Sequence, residues 1–341
     1  MLLILHQGAI GDFILALSVI QPAAEKLDAE QVVAVASADS ARLAAGRSCI
    51  DRCVHPDAAS LHTLFASKGP LHENLQRLLD SAHWILSFLG GPETTVHARL
   101  TAHTAGQVIA IDPRPTATTL SNRTHITEQW AADLAGESGP AIEPQPPVIR
   151  IESPGASHSV QSRSASSPKV IIHPGSGGQA KCWPTDRYLD LADRLAPLQA
   201  CWMLGPAELE IGAEKARAIQ SRALLRNEPL ITEFDLSTAV RAMSALHPAV
   251  YIGNDGGMTH VAAAIGLPVL ALYGPTDPAM WRPLGSHVNV CATQHPGTDI
   301  GQLPVMQVLR ALRVQLANAR SYADGCSNDE QWENTEGDDA S

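Results

Sequence analysis

The stretch Tyr251-Ile-Gly-Asn-Asp255-Gly-Gly-Met-Thr-His260-Val-Ala-Ala-Ala-Ile-Gly-Leu-Pro268-Val-Leu-Ala-Leu-Tyr273-Gly-Pro-Thr-Asp277-Pro278 decides the fold. It reads as strand, polar glycine turn, helix, strand and second polar turn, which is a βαβ unit of a parallel sheet. Asp255, Gly256, Gly257 and His260 stand where a strand hands over to a helix. Backbone N–H groups at such a junction can hold an anionic phosphate. A carboxylate beside a phosphate-holding turn suggests a nucleotide, with the turn for phosphates and the carboxylate for a hydroxyl.

The same alternation extends in both directions. Upstream, apolar runs at Leu2–Leu5, Val32–Ala36, Trp84–Phe88 and Val108–Ile111 read as strands. Helical patterns at Phe13–Leu27, Leu71–Ser81 and Thr127–Leu134 accompany them. A second series has strands at Val170–Ile172, Cys201–Leu204, Val250–Ile252 and Val269–Leu272. Its helices are expected near Asp186–Leu195, Ala207–Gln220, Leu236–Leu246, Met258–Ile265 and Val305–Leu316. Between the two series, residues 136–168 are rich in Pro, Ser and Gly, the composition of a linker. The boundaries expected are therefore residues 1–150 for one Rossmann-like domain, 151–168 for the linker, 169–320 for a second domain and 321–341 for a tail. The last helix of such a chain is expected to pack back on the N-terminal domain.

Bulk properties narrow the function. The 341 residues suit about two domains, and 45% are hydrophobic, enough for ordinary cores. The net charge of −11 argues against general nucleic-acid binding. Seven of the acids lie in residues 321–341 with no Lys or Arg; without them the charge is −4. That segment is polar, acidic and aperiodic, and reads as disordered. Six cysteines, none in a C-x-x-C pair, read as reduced cytosolic thiols rather than metal ligands. The apolar N-terminus has no basic flank, and His6, Gln7, Gly8 and Asp12 interrupt it, so it reads as strand, turn and helix rather than a signal or a membrane span.

Two further strand-to-helix turns carry chemistry-bearing residues. His6-Gln-Gly8-Ala-Ile-Gly11-Asp12 allows a tight turn close to a ligand. Asp12 is placed there either as a helix N-cap or as a catalytic carboxylate. His173-Pro-Gly-Ser176-Gly177-Gly-Gln-Ala-Lys181-Cys-Trp-Pro184 combines glycines, a hydroxyl and a cation, which suits a diphosphate; the bland reading is a flexible surface loop. His260 is equally readable as structural, and Tyr273–Pro278 as a polar turn capping a helix.

Taken in order, these turns resemble glycosyltransferase family 9, the heptosyltransferases of lipopolysaccharide core assembly. The family's opening S-x-G-D is matched by Gly8-Ala-Ile-Gly11-Asp12, and its P-G-[AS] and K-x-W-P by Pro174–Ser176 and Lys181–Pro184. Its D-[TG]-G-x-x-H-x-A-A-x-x-x-x-P and G-P-T-x-P are matched by Asp255–Pro268 and Gly274–Pro278. The resemblance covers about residues 1–320. It implies a GT-B fold, an α/β architecture of two doubly wound Rossmann-like domains facing a central cleft. It also implies inverting, metal-independent transfer of a sugar from a nucleotide donor, with ADP-heptose as the expected substrate and no cofactor. Asp12 corresponds to the general base, and Lys181 to the cation that neutralises the leaving diphosphate. Ser176 and Gly177 correspond to the phosphate-facing turn, and Asp255, Gly256, Gly257 and His260 to donor contacts. Glu208 corresponds to an acid that contacts the nucleoside ribose. The implied acceptor is a glycan or glycolipid of the lipopolysaccharide-core kind. A cytoplasmic place follows, peripheral to the inner membrane. The chain departs from the family in its sparse basic residues: residues 1–98 hold only Lys26, Arg42, Arg47, Arg52, Lys68 and Arg77. Other readings of the same turns are a non-catalytic sugar-nucleotide-binding protein and a nicotinamide-dependent dehydrogenase. Against the second, Gly8-x-x-Gly11 lacks the full G-x-G-x-x-G spacing.

Overall fold

The computed structural model describes residues 1–136, 139–151, 169–205, 208–209, 213–232, 235–246 and 249–329. The first domain runs β1 (Leu2–Leu5), α1 (Ile10–Lys26), β2 (Val32–Val35), α2 (Ala38–Ala44), β3 (Arg52–Val54), α3 (Glu73–Asp80), β4 (Trp84–Ser87), α4 (Thr95–Ala102), β5 (Gln107–Ala110), α5 (Ala117–Asn122) and α6 (Ile126–Gly136). The second runs β6 (Lys169–His173), α7 (Thr185–Arg194), β7 (Ala200–Met203), α8 (Ala213–Arg226), β8 (Leu230–Ile231), α9 (Leu236–Ser244), β9 (Ala249–Asn254), α10 (Gly257–Ala264), β10 (Val269–Tyr273), α11 (Pro278–Trp281), β11 (Val288–Ala292) and α12 (Val305–Asp329).

Both sheets are parallel. The first is ordered β3-β2-β1-β4-β5 and the second β11-β10-β9-β6-β7-β8. Each reverses direction beside its first strand, between β1 and β4 and between β6 and β9. That is where doubly wound sheets open a crevice beyond the carboxyl ends of their strands. The turns after β1, β6 and β9 all lie there.

Seven of the eight strands that sequence patterning locates are internal to their sheets; the eighth, β5, is an edge strand whose Ile109 and Ala110 are still buried. Leu2, Leu3, Ile4 and Leu5 are all fully buried, because a parallel sheet covered on both faces needs an unbroken apolar run. Complete burial of each such side chain contributes roughly 1.5–3 kcal/mol. β3, β8 and β11, which patterning misses, lie at sheet margins with partly exposed residues. The helix expected at Ala207–Gln220 is found as α8, six residues later; residues 206–207 and 210–212 lie outside the described residues.

One core runs through both domains. Leu2, Ile4 and Ala34 of the first sheet and Ile171, Cys201 and Tyr251 of the second belong to it, with α1 and α10 between. These helices meet at glycines. A Cβ on Gly257 would overlap the side chain of Ile10, and one on Gly11 would stand 3.4 Å from the Gly257 Cα. The outer faces have their own cores, Leu3, Leu5, Val33 and Val35 in one domain and Val170, Ile172, Trp202 and Val250 in the other.

The proline-rich segment after α6 is bound where described. Pro22 lies inside α1 and has no N–H to give to the Ser18 carbonyl four residues back. Gln145 supplies that hydrogen bond instead, its N–H donating to the Ser18 carbonyl at 2.9 Å. Ile149 then donates to the Ala264 carbonyl at the end of α10, 2.8 Å, and Arg150 to the Arg47 carbonyl, 2.7 Å. Residues 139–151 thus strap the two domains together by serving carbonyls that helix ends and a proline leave free. The Ser-rich run at 152–168 lies outside the described residues.

Two expectations are corrected at the C-terminus. The buried stretch of α12, with Val308, Leu309, Leu312 and Leu316, packs in the core of the second domain and not back on the first. Its apolar spacing fits the outer face of that sheet beside α7. The helix also continues to Asp329, nine residues into the stretch expected to be disordered, so aperiodic acidity did not stop a helix already nucleated by a packed face. Residues 330–341 lie outside the described residues. Among the described residues, no helix is long and apolar enough to cross a membrane.

Gly274 opens the second turn of the quoted stretch. A Cβ there would stand 2.5–2.7 Å from the Cβ, Cα and N of Ile300. Backbone cannot yield as a side chain tip can, so Gly274→Ala is expected to cost about 1–3 kcal/mol by overpacking. Thermal denaturation of the variant, with a melting temperature several degrees below that of the parent, checks this.

Candidate active site

Residues from the three turns line one cavity of about 590 Å³ between the domains. Ala9, Gly11 and Asp12 come from the first domain. Ser176, Gly177, Gly178 and Lys181 come from the turn after β6, and Asp255, Gly256, Gly257 and His260 from the turn after β9. The volume falls within the roughly 300–1,000 Å³ of small-ligand sites.

Asp12 sits in the first turn of α1, but it is not the N-cap. Ala9 holds that position, and no side chain caps it. Asp12 is three residues further on, and its carboxylate hydrogen-bonds back to the Ala9 backbone, the return half of a capping box. Burial is the main influence on it and pushes its pKa up; the Ala9 hydrogen bond and Lys181 oppose that, and Asp255 adds to it. Asp12 is therefore not the cap of α1, and it lines the cavity as a carboxyl group readier to hold a proton than an ordinary one.

Opposite lies a hydrogen-bonded cluster centred on Asp255, which is 6% exposed. Its Oδ2 accepts from Lys181 Nζ at 2.7 Å and from Thr276 Oγ1 at 2.6 Å. Its backbone carbonyl accepts from Ser176 Oγ at 2.7 Å. One carboxylate thus joins the turns after β6, β9 and β10. A buried carboxylate needs such partners, since losing one leaves an uncompensated charge at a cost of about 3–5 kcal/mol.

Asn254 sets the register underneath. It is wholly buried, and its Nδ2 donates to the carbonyls of Pro174, 2.7 Å, and Gly175, 3.2 Å. Its Oδ1 accepts from the Trp183 backbone and the Tyr188 hydroxyl, both at 2.9 Å. Trp183 Nε1 in turn donates to the Leu303 carbonyl, 2.9 Å. These bonds hold the glycine-rich turn at a fixed height over the start of α10. The K-x-W-P tryptophan is therefore a buried structural element, whereas Lys181 beside it faces the cavity.

Glu208 stands apart from that lining. Its Oε2 accepts from the Gly205 backbone at 2.6 Å and lies 4.0 Å from His173 Nε2. Its side chain covers Gly175 so closely that a Cβ there would overlap it. The structure brings Asp12, Ser176, Gly177, Lys181, Asp255, Gly256, Gly257 and His260 together and leaves Glu208 against the back of the same turn. Patterning alone passes over Thr276, although it lies in the quoted stretch, because nothing local distinguishes its hydroxyl from a turn residue's. Trp281 also lines the cavity without a sequence signal.

The histidines here are neutral. Burial lowers His6, His125 and His260 to about 4 each, and it lowers His173 as well. His260 Nδ1 is buried with no hydrogen-bond partner among the described residues. The cavity therefore holds one lysine, two carboxyl groups and an imidazole with spare hydrogen-bonding capacity. The first turn of α10 adds amide groups and a positive dipole end. That set can seat a diphosphate and accept a proton from a bound hydroxyl.

The linkage from the histidines has a definite sign. An unfolded chain protonates each near 6.5, but the folded chain refuses the proton until about 4. Their stabilisation is complete above pH ~6.5 and is lost as pH falls toward 4, by up to roughly 3 kcal/mol per histidine. Asp12, pushed up, works in the opposite direction. The melting temperature is expected to drop between pH 7 and 5, and His125→Asn to flatten that slope, as measured by thermal denaturation in a buffer series.

A model of glycosyltransferase family 9 (heptosyltransferase) matches residues 74–302. Lipopolysaccharide heptosyltransferase 2 of Escherichia coli K12 is 34% identical over 157 residues, 43% of this chain and 44% of that protein. Lipopolysaccharide heptosyltransferase 3 of the same strain is 31% identical over 120 residues, 33% of each. The matches thus span less than half the length of these relatives. Among solved structures, E. coli ADP-heptose LPS heptosyltransferase II superposes with a TM-score of 0.66 at 19% identity, covering 94% of this chain and 99% of that one. The glycosyl transferase family 9 protein of Veillonella parvula gives 0.68 at 16% identity, covering 93% and 97%. At such identities the likeness is one of fold, the two-domain GT-B arrangement.

Proposed function

The chain belongs to glycosyltransferase family 9, the heptosyltransferase family, and we propose that it transfers a sugar, with inversion, from a nucleotide donor to an acceptor hydroxyl. The observation that carries this is Asp12 across one cavity from the Lys181–Asp255 cluster. The donor's diphosphate lies against Ser176, Gly177 and Lys181 and against the first turn of α10 at Gly256 and Gly257. His260 supplies a further hydrogen bond, and Glu208 meets the ribose. Asp12 takes the acceptor hydroxyl's proton while that oxygen attacks the anomeric carbon. The bond from that carbon to the diphosphate breaks on the opposite face, and its electron pair leaves with the nucleoside diphosphate. Lys181 and the backbone amides stabilise the charge that develops on it, the part a metal plays in other transferases.

The preferred donor is ADP-heptose, supported by relatives named as lipopolysaccharide heptosyltransferases and a solved neighbour named for ADP-heptose. The acceptor is a glycan or lipopolysaccharide-core-like glycolipid, met at the cytoplasmic face of the inner membrane; nucleic acid has no part. A non-catalytic sugar-nucleotide binder would have no use for a half-buried carboxyl facing the phosphate turn. A calorimetric screen of ADP-, GDP- and UDP-sugars tests the donor: ADP-heptose is expected to bind most tightly, and preference for another nucleotide would overturn it.

Asp12→Ala is expected to leave donor binding nearly intact and abolish transfer, followed with a radiolabelled donor; turnover at the parent's rate would remove Asp12 as base. Lys181→Ala is expected to weaken donor affinity and lower kcat/KM together, by about 10²-fold or more. The acid limb of kcat is expected above the ordinary carboxylate range, because burial pushes Asp12 up and the base is lost as pH falls through that raised value.

A further inference from the structure

The wall formed by Thr276 and Trp281 belongs to the second domain, yet both ends of its segment are tied to the first. At one end, Asp277 accepts from Arg123 twice, Nε to Oδ2 at 2.6 Å and Nη2 to Oδ1 at 2.9 Å. At the other, the Arg282 carbonyl accepts from His125 Nε2 at 2.9 Å. A carbonyl can only accept, so Nε2 carries the hydrogen and Nδ1 accepts from the Thr127 hydroxyl, 2.8 Å away. His125 is buried, and burial keeps it neutral. Arg123 caps α5 in a left-handed backbone conformation, φ 52°.

Asp277 also caps α11 through the Ala279 amide, 2.9 Å. Its neighbour Thr276 donates to the same Asp255 oxygen that holds Lys181. A continuous set of contacts therefore runs from the first domain through Asp277 and Thr276 to Asp255. Exposed ion pairs contribute little to stability, and the Arg123 side chain is 57% exposed. Asp277 is only 12% exposed, however, and two parallel bonds fix orientation as a single contact does not. The effect of the pair is on geometry more than on folding.

We propose that Arg123 and His125 are positioning residues: they seat the Thr276–Trp281 wall so that the donor cluster faces Asp12. This rests on the transfer reading above. The test compares Arg123→Gln and Asp277→Asn with the parent; asparagine keeps the cap on Ala279, so the second variant removes the charge and spares the helix. kcat and the donor KM are measured with ADP-heptose, and the interdomain distance by spin labels on the two domains without donor. A misplaced wall is expected to lower kcat about tenfold or more, since ~1 Å of misplacement can cost 10²-fold. The donor KM should change less than threefold and the interdomain distance should widen. Arg123→Lys, able to make one bond, should fall between. A kcat within twofold of the parent in both variants overturns the proposal. So does a KM that rises as kcat falls with the distance unchanged, which would make Arg123 a donor ligand. If the parent transfers no sugar from any nucleotide donor, the transfer reading fails, and an unchanged interdomain distance in the variants separately overturns the positioning role.

Discussion

The close approach of two helix starts, at Gly11 and Gly257, is the contact on which the rest depends. The first turns of α1 and α10 pack closely where Gly257 leaves room for Ile10, and a Cβ on Gly11 would already stand 3.2 Å from His260 Cδ2 and 3.4 Å from the Gly257 Cα. That approach places Asp12 across from Lys181 and Asp255 and lets one apolar core run through both domains. A methyl group on Gly257 would overlap the Ile10 side chain and stand 3.3 Å from the Gly11 amide nitrogen.

Around that crossing, polar groups are arranged so that few charges are buried alone. Asp255 is compensated by Lys181 and Thr276, and Asn254 by four partners. Histidines in the same region stay neutral because burial disfavours their charged form. Asp12 is the exception, with burial raising its pKa and only partial compensation. A carboxyl held in that condition is more basic than an exposed one, which is what proton abstraction from a hydroxyl needs.

Legibility in the sequence followed burial. β1, β2, β4, β6, β9 and β10 are covered on both faces and appear as unbroken apolar runs. β3, β8 and β11 lie at the margins, where exposed positions dilute the pattern. The glycine-rich turns were legible because a strand-to-helix junction with glycines is a local event. The segment 123–125 was not, since its partners Asp277 and Arg282 lie more than 150 residues away and its own residues are ordinary for a helix end. Asp12 was half legible: its position near a helix start could be read, but whether it capped or faced a ligand depended on the neighbouring domain.

The sequence by itself determined the two parallel sheets, the three turns at their carboxyl edges and the residue types those turns carry. These follow from periodicity and from glycine's conformational freedom, both of which act over a few residues. The tertiary structure decided which of those residues share a cavity, that Trp183 and Asn254 build it while Lys181 and Asp12 line it, and that Arg123 reaches from the first domain to Asp277 of the second. Those outcomes depend on the distance between two domains, and that distance is set by how closely two glycine-bearing helices can pack.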